Sequence, residues 1–242
     1  MVFVGIHGII KFNDQIYDAI PMNRLHIDSI TKSFGGRKIL QDIYLSCETG
    51  KIAGILGPSG GGKSTLFEII FGTIKGDTQF IKLNETILKS LSDRKNKIAY
   101  LPQHSSFLPK ECKIRKLIPL FCTRENTEKL YGLKMIQPFL DETVRNLSGG
   151  EKKIIETLII TYSDVEFVLL DEPFSGVSPK AVDELEKIIK SQARYKGIII
   201  SDHHYKTLLE MSHDLYLLSD TYLRKVQGIK ELQQFNYLPK NQ

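Results

Sequence analysis

Residues 51–71 read KIAGILGPSGGGKSTLFEIIF, a short apolar β-rich run, then a glycine-rich stretch, then apolar residues at helical spacing. That order, strand to glycine turn to helix, confines the chain to α/β folds in which a loop faces the N-terminus of a buried helix. Gly57, Pro58, Ser59, Gly60, Gly61, Gly62, Lys63 and Ser64 fit G-x-x-x-x-G-K-[ST], and Thr65 extends the run. Glycines let backbone N–H groups converge on phosphate oxygens, and the helix end adds positive potential. Lys63 neutralises phosphate charge and Ser64 offers a hydroxyl to Mg²⁺. The pattern predicts a phosphate-binding loop.

Around it lies an ordinary globular chain. The 242 residues suit one or two domains, with 41% hydrophobic and 25% charged residues. The net charge of +5 is spread along the chain, not gathered into the basic stripe of a dedicated nucleic-acid binder. Cys47, Cys112 and Cys122 have neither even number nor CxxC spacing, so no disulfide framework or thiolate zinc site is expected, and a reducing cytoplasm fits best. The apolar runs at 167–170 and 198–200 are strand-length, far below the roughly 18 residues of a bilayer span. The opening MVFVGIHGII lacks the basic flank and cleavage site of a secretory signal. Residues 1–21 match no motif and are read as an N-terminal extension, with Met22 a candidate start that would make them upstream read-through.

Along the rest, Leu25–Ile30 alternates as a strand, and 76–100 mixes β-rich runs with turn residues. Residues 104–145 favour short helices broken by Pro119 and Pro138, an inserted helical subdomain that extends to about residue 160 with the helix that follows. LSGGEKKIIETLII predicts that helix, capped by Ser148 with Glu151 at capping-box spacing. VEFVLL and GIIISD are two further strands separated by a helical pattern from Ala181 to Tyr195, the alternation of a parallel sheet. Asp171 and Glu172 lie just past the first of these strands, where open α/β sheets bind ligands. Asp171 there is placed to hold Mg²⁺, directly or through water, and Glu172 to polarise an attacking water.

Leu147–Glu151, LSGGE, has no use in simple phosphate-loop kinases, and with it the chain resembles the ATP-binding cassette family over about Arg24 to Leu218. The resemblance implies a parallel-sheet nucleotide core with an antiparallel β portion and a helical insert, at residues 22–220, followed by a tail, 221–242. It implies ATP and Mg²⁺ as ligands and two cassettes closing on two ATP, with Ser148, Gly149 and Gly150 of one copy facing the γ-phosphate held by the other. Phe34 matches the aromatic that stacks on adenine. Gln103 matches the glutamine that reaches Mg²⁺ and the attacking water, and His203 the switch histidine. His204 is the poorer match, because neighbouring side chains leave an extended backbone in opposite directions. Taken alone, each of these three residues reads as ordinary structure.

EPFSGVSP, 172–179, is most similar to cassettes of the lipopolysaccharide-export and branched-chain amino-acid import type. Two positions depart from the family: Ser178 stands where Asp is usual in the loop that crosses the dimer interface, and Thr157–Ile160 replaces an Arg-Ala-Leu stretch. Lys110, Lys113, Arg115 and Lys116 fall on the insert, the face that meets a membrane subunit in transporter cassettes; alone, they read as a solvated charged face. The function expected is a Mg²⁺-dependent ATPase subunit, peripheral at the cytoplasmic face of the membrane, that moves separate transmembrane subunits. A soluble regulatory module with ATP-driven dimerisation and weak turnover is the alternative. Nucleic acid is not expected: only 43 residues separate Gln103 from Leu147, too few for an inserted coiled coil.

Overall fold

The computed structural model describes residues 9–12, 15–18 and 22–239. The expectations for residues 1–21 fall outside them, apart from β1 (Ile9–Phe12) and β2 (Gln15–Asp18), which pair antiparallel. The chain then runs through β3 (Arg24–Phe34), β4 (Arg37–Glu48), β5 (Ile52–Leu56), α1 (Lys63–Phe71), β6 (Thr78–Leu83), β7 (Thr86–Ile87), α2 (Leu91–Arg94) and β8 (Ile98–Leu101). Helices α3 (Ile114–Leu117), α4 (Arg124–Gly132) and α5 (Gly149–Tyr162) precede β9 (Phe167–Asp171), α6 (Pro179–Ala193), β10 (Gly197–Ser201) and α7 (Tyr205–Met211). Strands β11 (Asp214–Ser219) and β12 (Tyr222–Val226) and helix α8 (Ile229–Gln234) complete it.

Strands β12-β11-β5-β10-β9-β8 form one sheet, parallel except for the edge strand β12. Its middle strands are buried on both faces, which is why they read as unbroken apolar runs. The two-residue pleat sorts their side chains between two cores: Val168, Leu170, Ile198 and Ile200 face α5 and α6, whereas Phe167, Leu169 and Ile199 face α1. A second, antiparallel sheet, β4-β3-β6-β7, closes the α1 side with Ile27, Ile43 and Leu45. Buried Arg94 donates to the Ile69 carbonyl of α1 at 2.8 Å and to Leu88 at 3.1 Å, fixing the C-terminal turn of that helix.

The stretch 104–145 folds into the short helices α3 and α4 with 3₁₀ turns and a single bridge between Lys113 and Thr143. Its apolar residues, Leu117, Ile118, Leu130 and Val144 among them, join the α5 face of the main core. The polar stretch after residue 220 is likewise built in: β12 pairs with β11, Leu232 of α8 is fully buried, and Tyr237 and Leu238 pack on the same cluster. No helix among the described residues is long and apolar enough to cross a membrane.

Candidate nucleotide site

The glycine loop leaves the C-terminal edge of β5, between β11 and β10, and enters α1 at Lys63. Gly62 caps α1 with φ +100°, and a Cβ there would sit 2.9 Å from the Ile39 side chain. Only glycine takes that turn without strain. Lys63, 5% exposed, folds back so that its Nζ donates to the carbonyls of Gly57 at 2.9 Å and Pro58 at 3.0 Å. Burial lowers the pKa of this ammonium, an effect opposed by Glu172, Asp171 and Asp202.

Beside the loop, three elements converge. Ser64 Oγ donates to Gln103 Oε1 at 3.3 Å, and Gln103 Nε2 donates to Glu172 Oε2 at 2.6 Å. The other Glu172 oxygen, Oε1, lies 2.7 Å from His203 Nε2, which also sits 3.5 Å from Ser59 Oγ. Glu172 is buried and adopts φ +51°, a left-handed backbone that costs a non-glycine residue on the order of 1–3 kcal/mol. Its N–H donates to the Ser201 carbonyl at 2.8 Å, so the turn is held by the neighbouring strand. The resulting cleft, about 530 Å³, is lined by the loop, Gln103, Glu172 and, at its mouth, half-exposed Phe34. The Phe34 ring lies 5.0 Å from Lys32 Nζ, a cation–π contact made by a residue that is still half-exposed.

Asp171 stands behind this cleft and does not line it. It is fully buried, accepting from Ser201 Oγ at 2.6 Å and Tyr100 OH at 3.4 Å. The contact with Ser201 follows from register, since β9 and β10 pair Asp171 with Ser201. His204 turns away: its Nδ1 and backbone N–H both reach Asp202 Oδ1, at 2.6 and 3.0 Å. Asp202 Oδ2 accepts from the Phe174 N–H at 3.1 Å, which pins the loop after Glu172. Sequence reading missed Tyr100, Ser201 and Asp202; the one available signal was that two apolar strands end side by side in polar residues.

Ser148, Gly149 and Gly150 are elsewhere. Ser148 caps α5 in a reciprocal pair with Glu151, its Oγ donating to Glu151 Oε2 at 2.7 Å and accepting from the Glu151 N–H at 3.3 Å. None of the three lines the cleft of its own chain, and Ser148 and Gly149 are exposed. Gly150 is required by packing, because a Cβ would meet the Gly176 carbonyl oxygen at 2.6 Å. Ser178, exposed, stands at the N-cap of α6 and makes no side-chain cap bond.

Comparison with known proteins gives the family of the chain. The family profile described as ABC transporter matches residues 40–175, more than half of the chain and the whole span from the glycine loop to Glu172. The chain belongs to the ABC transporter family. It is 31% identical over 210 residues to the lipopolysaccharide export system ATP-binding protein LptB of Haemophilus influenzae, covering 81% of this chain and 87% of that protein. With LptB of Escherichia coli it shares 28% over 215 residues, covering 84% and 89%. Among solved structures, the ATP-binding subunit of an ABC transporter superposes with TM-score 0.75 at 20% identity over 88% of this chain and 93% of that one. A nucleotide-free ATP-binding cassette gives TM-score 0.73 at 23% identity over 90% and 97%. Both share the fold. The protein is thus an ATP-binding subunit of the ABC transporter type, built as a phosphate-loop α/β cassette.

Proposed function

We propose that the protein hydrolyses ATP with Mg²⁺ and works as a dimer of cassettes that drives separate transmembrane subunits from the cytoplasmic face of the membrane. The observation that carries this reading is the buried Glu172 carboxylate, held between Gln103 and His203 beside Lys63 and Ser64. Gly57 and Ser59–Gly62 would present backbone N–H groups to the phosphates, with Pro58 shaping the turn, Lys63, Ser64 and Thr65 at the helix end and Phe34 under the adenine. Glu172 accepts a proton from the attacking water, while Gln103 and His203 orient that water and the terminal phosphate. Ser64 Oγ and Gln103 Oε1, 3.3 Å apart, with Asp171 behind them, are the hard oxygen donors that suit Mg²⁺. When bound, that ion would neutralise charge on the phosphates.

In this reading 104–160 is the portion that meets the membrane partner, and the stretch from 221, expected from sequence to be a tail outside a cassette of 22–220, belongs to the cassette through β12 and α8. The exposed Ser148 and Gly149, absent from their own cleft, are free to face nucleotide on a second copy, with Gly150 behind them. The test is steady-state phosphate release by the wild type and Lys63→Ala, with Mg²⁺ and with chelator, alongside light scattering of Glu172→Gln with saturating Mg-ATP. Mg²⁺-dependent turnover lost in Lys63→Ala, and a dimer formed only with ATP, are expected. A dimer without turnover in the wild type would favour the regulatory module, and neither would overturn both readings.

A further inference from the structure

Lys153, in the second turn of α5, serves neither the helix cap nor the buried face of its helix. Its Nζ reaches across to the loop after β8 and donates to two backbone carbonyls, Pro102 at 3.1 Å and Gln103 at 2.9 Å. Gln103 is the residue whose side chain joins Ser64 to Glu172. One turn further along α5, buried Glu156 accepts from Ser106 Oγ in the same loop, and the Ser106 oxygen also accepts from the Leu108 N–H at 3.3 Å. The helix therefore holds the loop on both sides of its turn, by contacts between residues about fifty apart in sequence.

Electrostatics make the lysine hard to replace. Burial lowers the pKa of its ammonium, and Glu156, Asp171, Glu172 and Asp202 act against that effect. Like Lys63, it is a cation withdrawn from solvent whose charge opposes Asp171, Glu172 and Asp202. A half-buried ammonium is tolerated where carbonyl oxygens and carboxylates surround it, and those partners fix where its stem must lie.

We propose that Lys153 is a positioning residue for ATP hydrolysis, tying the backbone at Pro102 and Gln103 to α5 so that the Gln103 side chain reaches Ser64 and Glu172 only while that helix is in place. The consequence is mechanical. The helix end bearing Ser148, Gly149 and Gly150 and the glutamine beside its own glycine loop move as one body, so an event at the cap of one copy changes the geometry at Glu172 in the same copy. The inference rests on the ATPase reading above.

The experiment compares full-length wild type, Lys153→Met, Lys153→Arg, Gln103→Ala and Lys153→Met/Gln103→Ala, with Glu172→Gln as reference. Lys153→Met should lower kcat roughly 10- to 100-fold, the cost of misplacing a reacting group by about an ångström, with the KM for ATP within about threefold because the glycine loop is untouched. Lys153→Arg, which can also donate to two carbonyls, should restore most of the rate. In the Gln103→Ala background Lys153→Met should cost little more, since both act through one side chain. Hydrogen exchange gives a readout independent of turnover: amides 101–108 should exchange faster in Lys153→Met while those of 57–71 do not change. Lys153→Gln replaces Lys153→Met if the latter does not fold. Unchanged exchange at 101–108, a kcat within about threefold of wild type, or a fully additive loss in the double variant would overturn the proposal. Wild-type turnover no higher than Glu172→Gln would instead remove the ATPase reading and leave exchange to decide the contact.

Discussion

Glu172→Gln separates the chemical role of this side chain from its structural one, and its effect can be worked from the contacts. The carboxylate takes a hydrogen bond from Gln103 Nε2 at 2.6 Å and faces His203 Nε2 at 2.7 Å. Glutamine has the same shape, so the left-handed turn at φ +51° and the packing around it are kept. Its amide oxygen can still accept from Gln103, and its NH₂ then meets His203 Nε2, which accepts when the imidazole is neutral. Two charge-assisted contacts become neutral ones, but a buried charge is removed as well, so the two effects on stability largely offset. The melting temperature should move by only a few degrees.

Proton acceptance, in contrast, is abolished. A positioned general base contributes about 10²- to 10⁴-fold, or roughly 3–5 kcal/mol of barrier. The assay is phosphate release at saturating Mg-ATP, paired with ATP affinity from a fluorescent analogue. Affinity should hold or rise, since a negative charge beside the expected site of the terminal phosphate is gone. A variant that keeps more than about a tenth of wild-type turnover, or whose ATP affinity falls in step with its rate, would refute the assignment of Glu172 as the base.

Four further outcomes follow from individual contacts. Gly62→Ala should melt well below Gly60→Ala: both positions have positive φ, worth about 1–2 kcal/mol, but only at Gly62 does a Cβ also meet Ile39, and equal shifts would contradict this. Lys196 is buried, donates to the Ser163 carbonyl at 2.5 Å and has its pKa lowered to about 8 by burial. A depressed folded pKa means the unfolded chain binds more protons between about pH 8 and 10.5, so wild-type stability rises through that range; Lys196→Met should be more stable at pH 7, by an amount that shrinks toward pH 10.5 in thermal melts. Met leaves no orphan, because the Ser163 carbonyl keeps the Val165 N–H. Leu232→Ala should cost about 2–5 kcal/mol in urea unfolding, as α8 belongs to the main core, and Ser148→Ala should cost about 1 kcal/mol through the lost cap and abolish the ATP-driven dimer seen by scattering.

What the sequence disclosed was local. The glycine loop, the capped α5 and the two apolar strands each carry their signal within a dozen residues, through periodicity or through a turn that demands glycine. Between residues 76 and 100 the pattern spoke of strands, yet the four-stranded sheet pairs β6 with β3, more than forty residues away, and nothing local encodes that register. The preference for His203 over His204 rested on alternation along a strand; the structure adds the cause, an acid two residues before His204 that holds its Nδ1. Lys153 was invisible for the same reason as the sheet register, because one lysine among thirty-three Lys+Arg residues gives no hint of the carbonyls it will meet.

The departure at Thr157–Ile160 now has a physical account. From Ile155 to Tyr162 every residue of α5 is buried, whereas Ser148–Ile154 are exposed or half-buried. The apolar half is wedged between the sheet, through Val168 and Leu170, and the short helices of the insert, through Leu130 and Val144. In such a setting an arginine at 159 would need carboxylate or carbonyl partners, and the Ile159 side chain asks for none. Apolar packing therefore fixes the inner end of the helix, while polar contacts from Lys153 and Glu156 fix the loop beside its middle and the Ser148 cap points outward. A helix so anchored cannot shift its cap without repacking the insert or tilting with it. Any displacement of the Ser148 cap would therefore carry α3, α4 and the Gln103 loop along with α5, rather than the cap alone.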